Sequence, residues 1–172
     1  MPQVIEVPIP HDCSLLDGFQ SIYFCDAYQT PLSKPNLSVQ DAYAAVFAHP
    51  PGWVKGLMRI RGLVAFVLGL KHVQDSVLVQ DQGMQYRVGQ RAGIFSVQSI
   101  EPNELIVGDD DKHLNFRISI YRSSANDVQV LTLSTAVEIH NKLGKFYMLV
   151  ITPFHRFITK SMLQKAANAG LL

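Results

Sequence analysis

A chain of 172 residues suits one domain with a substantial core. Hydrophobic residues make up 48% of it and charged residues 17%, and 15 Lys and Arg stand against 14 Asp and Glu for a formal net charge of +1. That balance gives no global field for nucleic acid or acidic membranes, so recognition by bulk charge is excluded, while a local basic patch such as Lys55, Arg59 and Arg61 is not.

The chain opens on an extended lead-in with Pro2, Pro8 and Pro10, taken to residue 17, and this stretch has no basic start or apolar run of a secretion signal. The two cysteines, Cys13 and Cys25, form no CxxC pair, and Cys25, within Ser21-Ile22-Tyr23-Phe24-Cys25, reads as a small buried thiol. Both features point to the reducing cytoplasm.

Phe19 to Thr30, aromatic and β-branched, predicts a strand ending at Pro31. Ser38 then caps a helix through Val39, Ala42, Tyr43, Val46 and Phe47, with Asp41 in its first turn. Pro50-Pro51 ends that helix and opens a second over Gly52–Leu70, where Trp53, Leu57, Ile60, Val64, Val67 and Leu68 follow helical spacing. Its apolar part, Gly62–Leu70, is too short to cross a bilayer, which takes about 20 apolar residues, and reads as a buried helix.

Gln74–Gln90 is polar and Gln-rich and predicts a loop or an irregular strand. Beyond Gly93, runs at Ile94–Ile100, Leu105–Val107, Leu114–Tyr121 and Val128–His140, separated by turn residues, predict an antiparallel meander. The last element, Gly144–Ala169, predicts a long helix with Phe146, Tyr147, Val150, Phe154, Phe157, Ile158 and Met162 on one face. Pro153 removes one backbone donor inside it and predicts a kink.

The two runs from Leu114 and Val128 carry the residues best arranged for chemistry. Leu114, Phe116, Ile118 and Ile120 alternate with His113, Asn115, Arg117 and Ser119, and in the next run the parity reverses, with Glu138 and His140 polar. Like faces align only if paired residue numbers sum to an odd value. A loop centred on Ala125-Asn126 predicts Arg117 opposite Ser134 and His113 opposite Glu138, within reach of a cross-strand pair. Such a face is either a polar cluster for binding and acid–base work or a solvated outer surface, and both readings stay open.

Metal chemistry is not expected. The six histidines have no i, i+4 pair and no cysteine at ligand spacing, and Asp109-Asp110-Asp111 lacks the Gly and distal Glu of a calcium loop. There is no Gly-rich phosphate loop and no Gly-x-Ser-x-Gly elbow, so no cofactor is expected.

Several motifs, in order, carry a family resemblance: Pro51-Gly52-Trp53-Val54-Lys55-Gly56-Leu57-Met58-Arg59-Ile60-Arg61, Gly69-Leu70-Lys71, Asp109-Asp110-Asp111-Lys112-His113-Leu114-Asn115-Phe116-Arg117, His140-Asn141-Lys142-Leu143-Gly144 and Pro153-Phe154-His155-Arg156. From about Asp26 to Leu163 the chain resembles a bacterial family catalogued as a domain of unknown function. That family is similar to the START-like, polyketide-cyclase-like (SRPBCC) superfamily. The resemblance implies a single α+β domain with the helix-grip fold, a curved antiparallel sheet wrapped around a long C-terminal helix, with two short helices after the first strand. It also implies an apolar cavity. Members mostly bind lipids, sterols or polyketides; some are cyclases or dehydratases, and some help assemble other proteins. The resemblance brings no catalytic residue with it.

Three functions follow. The first is binding or carriage of a small hydrophobic molecule between the sheet and the C-terminal helix, with Trp53, Phe95, Phe116, Ile118, Phe146, Phe154 and His155 as lining residues. The second is a cyclase, dehydratase or isomerase with His113 as acid–base group, Glu138 orienting it and Arg117 stabilising an oxyanion. The third is a protein-interaction module on the Pro51–Leu70 helix.

Overall fold

The computed structural model describes residues 2–54, 56–57, 83, 85–125 and 127–172. Among these, seven strands form one antiparallel sheet: β1 (Ile5–Glu6), β2 (Phe24–Pro31), β3 (Arg91–Ala92), β4 (Phe95–Ile100), β5 (Glu104–Asp110), β6 (Leu114–Ala125) and β7 (Val128–Ile139). Their order across the sheet is β1-β2-β7-β6-β5-β4-β3. Helix α1 (Val39–Phe47) lies between β2 and β3, and helix α2 (Lys142–Asn168) follows β7.

The meander forms where alternation predicts it, and the β6–β7 register carries the odd sum that parity requires. Its value is two higher than the loop position predicts, because Ala125 pairs with Val128. Asp127 takes a φ of 63°, a left-handed conformation that Asp and Asn adopt more readily than other side-chain-bearing residues. The faces survive this shift and the pairs do not. Asn115, not His113, lies opposite Glu138; Arg117 lies opposite Ala136; and Ser134 faces Ser119.

Helix α1 begins as its cap residue dictates. The Ser38 hydroxyl accepts from the Asp41 backbone N–H at 3.1 Å and donates to the Asp41 carboxylate at 2.7 Å. It buries Tyr43, whose hydroxyl donates to the Ala92 carbonyl at 2.7 Å. Helix α2 starts two residues before its predicted first residue, at Lys142, because Asn141 caps it by accepting from Gly144 N–H at 3.0 Å. The same Asn141 amide donates to the Lys112 carbonyl at 2.8 Å, tying the helix start to the β5–β6 turn.

The main core joins the inward sides of β2, β5, β6 and β7 to both helices, through Tyr28, Leu105, Ile118, Leu133, Tyr43 and Leu163 among others. The far side of the sheet is covered by the lead-in. That is why β2 starts at Phe24 and not at Phe19: Gln20 and Ser21 give their N–H groups to Glu138 at 3.2 and 2.9 Å instead of to a neighbouring strand. Cys25 points to that outer side and is exposed, which corrects the buried reading of its apolar neighbourhood.

Residues 52–54 and 56–57 are helical, as the Pro50-Pro51 break predicts. The remainder of the predicted Gly52–Leu70 helix, with Lys55, Arg59 and Arg61, lies outside the described residues, as does most of Gln74–Gln90. Among the described residues, no helix is long and apolar enough to cross a membrane.

Candidate functional site

The sheet's outer face holds two of the three residues proposed for acid–base chemistry, and it engages both with backbone. Arg117 donates to the Asp17 carbonyl at 2.5 Å and lies 4.5 Å from the Phe19 ring centroid, a cation–π geometry. Glu138 holds Gln20 and Ser21, as above. Deeper in, buried Glu104 accepts from the Ser119 hydroxyl at 2.5 Å and from Ser14 N–H at 2.8 Å. An open cleft of about 380 Å³ remains, lined by Ser14, Asp17, Gln98, Ser99, Ile106 and Arg117. His113 sits apart, between β5 and β6, with Asn141 Nδ2 2.9 Å from its Nδ1. His113, Arg117 and Glu138 thus have separate partners.

A different constellation lies on the inward face, beneath α2. Alternation along β2 turns Phe24, Asp26, Tyr28 and Thr30 inward, and all four are buried. Asp26 is paired with Thr135 across the β2–β7 ladder. One helical turn beyond Pro153's neighbour Thr152, α2 brings down His155, whose Nε2 lies 3.1 Å from Thr135 Oγ1, 3.3 Å from Thr159 Oγ1 and 3.7 Å from Asp26 Oδ1. The Asp26 side chain is 1% exposed and that of His155 24%. Among the described residues, neither Asp26 oxygen meets a donor in good hydrogen-bond geometry; the Tyr28 hydroxyl and the His155 imidazole are the polar groups beside it. The Phe24 ring meets His155 edge-on, with centroids 5.5 Å apart.

A buried carboxyl without hydrogen bonds costs several kcal/mol, and such groups persist where function needs them. The surroundings sharpen the contrast. Phe24, Val137 and Met148 form an apolar cluster with half-buried Leu114, Phe116, Ile139 and Tyr147 against it. The arrangement is an apolar floor with one acid, one imidazole and two hydroxyls, able to receive a polar group on an apolar molecule or to move a proton.

Tyr28 feels the same environment. Burial, and then the charge of Asp26, push its hydroxyl up to about 12. Burial also raises Tyr43 well above the usual tyrosine range. Both folded values exceed the unfolded value of about 10, so the fold keeps these protons when the unfolded chain loses them. Their stabilising contribution is therefore full below about pH 10 and falls as pH rises toward 12. Urea midpoints measured across that window are expected to drop, and substitution of Tyr43 by Phe is expected to flatten the drop; a midpoint unchanged up to pH 12 contradicts the assignment.

Of the proposed lining residues, His155 joins this cluster and Ile118 is buried in the core. Phe95 and Phe116 are half-buried, in edge contact at 5.6 Å. Trp53, Phe146 and Phe154 are exposed at 41%, 56% and 53%, which removes Phe146 and Phe154 from the inner side of the helix where periodicity put them. Asp26 is absent from the sequence-derived candidates, although its parity with Phe24 and Tyr28 signals an inward carboxyl. Among the described residues, no group of three His, Cys, Asp or Glu is arranged to hold a metal ion.

Residues 19–162 match the family described as a protein of unknown function, DUF2867, and the chain belongs to that family. Comparison with curated proteins and comparison with solved structures each find no match.

Proposed function

We propose that this DUF2867 protein binds or carries a small hydrophobic molecule between the sheet and α2, with a polar group of that molecule meeting Asp26 and His155. The observation that carries this reading is the Asp26 carboxyl, buried 3.7 Å from His155 in an apolar interface and, among the described residues, without a well-formed hydrogen bond to either oxygen. A ligand hydroxyl or amine there supplies the missing bond. The order of strand, helix, meander and long helix packed on one sheet face supports the helix-grip fold of the START-like, SRPBCC superfamily. Nucleic acid is not among its partners on this reading, in keeping with the near-zero net charge.

The test is solvent extraction of purified protein followed by mass spectrometry, with Asp26→Asn in parallel. One hydrophobic compound bearing a hydroxyl or amine, stoichiometric with the wild type and depleted in the variant, is the expected result. Empty protein that also ignores a panel of hydrophobic alcohols and amines overturns the reading.

A second reading, an isomerase, dehydratase or cyclase, draws on the same pair, since a carboxyl and an imidazole 3.7 Å apart in an apolar setting are an acid–base couple. In this case Asp26→Asn abolishes turnover of the extracted compound while binding persists.

A further inference from the structure

The outward side of α2 is a feature that neither ligand binding nor the core explains. Inward positions Gly144, Met148, Thr159, Met162, Leu163 and Ala166 are buried, as an amphipathic helix requires. The opposite side of the first four turns ought then to be polar. It carries Phe146, Leu149, Val150, Phe154 and Phe157 instead, between 48% and 69% exposed. By helical spacing these five fall on one stripe. Trp53 extends the stripe sideways: it is 41% exposed and its ring centroid lies 5.0 Å from that of Phe157.

Charge gives the stripe its partner. The 27 residues of α2 contain no Asp or Glu. Its five cations, Lys142, Lys145, Arg156, Lys160 and Lys165, are all exposed; Lys145 and Arg156 lie along one flank of the stripe, with the Arg156 guanidinium 5.7 Å from the Phe24 ring centroid. A basic helix with Trp, Phe and Leu on its exposed side is the pattern of an interfacial helix, whose apolar residues enter the headgroup boundary while its cations meet anionic lipid. Among the described residues only Trp53 extends across the stripe, and a protein surface rarely shows contiguous apolar residues of this size without a partner.

We propose that the outward face of α2, with Trp53, docks on an anionic lipid surface. The chain's near-neutral total charge is no obstacle, because attraction to a membrane decays within a Debye length of about 8 Å and only the facing residues count. The docking is independent of whether the interior holds a ligand. It places the helix that covers Asp26 and His155 flat against the bilayer.

Trp53 is the only tryptophan in the chain and reports directly on the stripe. Its emission should shift to the blue when the protein meets phosphatidylcholine vesicles containing phosphatidylserine, and the protein should sediment with them. High salt should weaken both signals, and pure phosphatidylcholine should give little of either. Leu149→Ser with Phe154→Ser should abolish co-sedimentation; both sites are exposed, so the fold should hold. As a second variant, Lys145→Glu with Lys160→Glu should weaken binding at least about tenfold, each basic residue near such a surface contributing about 1 kcal/mol, or about fivefold. Absence of binding, or equal binding to both vesicle types, overturns the proposal. A dimer that Leu149→Ser with Phe154→Ser dissolves, with no vesicle binding, also overturns it and makes the stripe a face between copies of this chain.

Discussion

Asp26→Asn is expected to yield a more stable protein that no longer retains its ligand. The carboxyl is buried to 1% exposure and, among the described residues, has no well-formed hydrogen bond to either oxygen, so the imidazole 3.7 Å away offsets only part of its desolvation cost. The amide has nearly the same shape and removes the ionisable group, so the gain should be about 1–2 kcal/mol, read as a higher urea midpoint with unchanged slope. Function should move the other way, since activity often rests on groups the fold would be more stable without. His155→Ala gives the converse. It leaves Asp26 buried without the imidazole 3.7 Å away and should cost about 3 kcal/mol. If Asp26→Asn instead destabilises the protein as much as His155→Ala does, the pair is a structural tie and the ligand site fails.

Gly144→Ala is expected to destabilise the protein by about 3 kcal/mol, against the usual direction for a helical glycine. Within a helix Ala normally gains about 1 kcal/mol over Gly, because Gly gives up more backbone freedom on folding. At this position a Cβ would stand 2.1 Å from the His113 carbonyl oxygen and 3.0 Å from its carbon. The obstacle is backbone, fixed from two sides: His113 O accepts from His140 N–H at 2.9 Å, and Asn141 holds both Lys112 and Gly144. The helix start must lift off the sheet to admit a methyl group, and overpacking of this kind costs up to about 3 kcal/mol or more. Gly52→Ala is the control, with nothing within 4 Å of its added Cβ, and should be neutral or slightly stabilising. A Gly144→Ala protein as stable as the wild type would falsify the close approach.

The elements legible in the sequence are those with local causes. Ser38 and Asp41 mark the start of α1, alternation marks β6 and β7, and their parity gives the correct faces without the structure. The register was not legible to the residue, since it depends on whether two or four residues separate the paired ends of β6 and β7, and both lengths keep the same faces. The site was legible in only one of its members. His155 stands out as a histidine in an apolar helix; Asp26 and Thr135 meet it only through a ladder joining segments more than a hundred residues apart. Nor could periodicity sort α2, because Tyr147 and Ile158 on one side and Phe146, Phe154 and Phe157 on the other recur at the same three- and four-residue steps.

Among the described residues, the sheet ends in β1 at one side and β3 at the other, each two residues long. The strands of twelve residues, β6 and β7, lie in the interior, hydrogen-bonded on both sides. Strand edges are where folded proteins recruit further strands into fibrils, and short terminal strands offer little template for that growth. Beside β3, the chain also bonds back on itself, with Gly89 N–H to Val97 O at 2.8 Å. A native-state preparation should therefore resist seeding by foreign amyloid, and fibres should form only after β1 and the lead-in have peeled from β2.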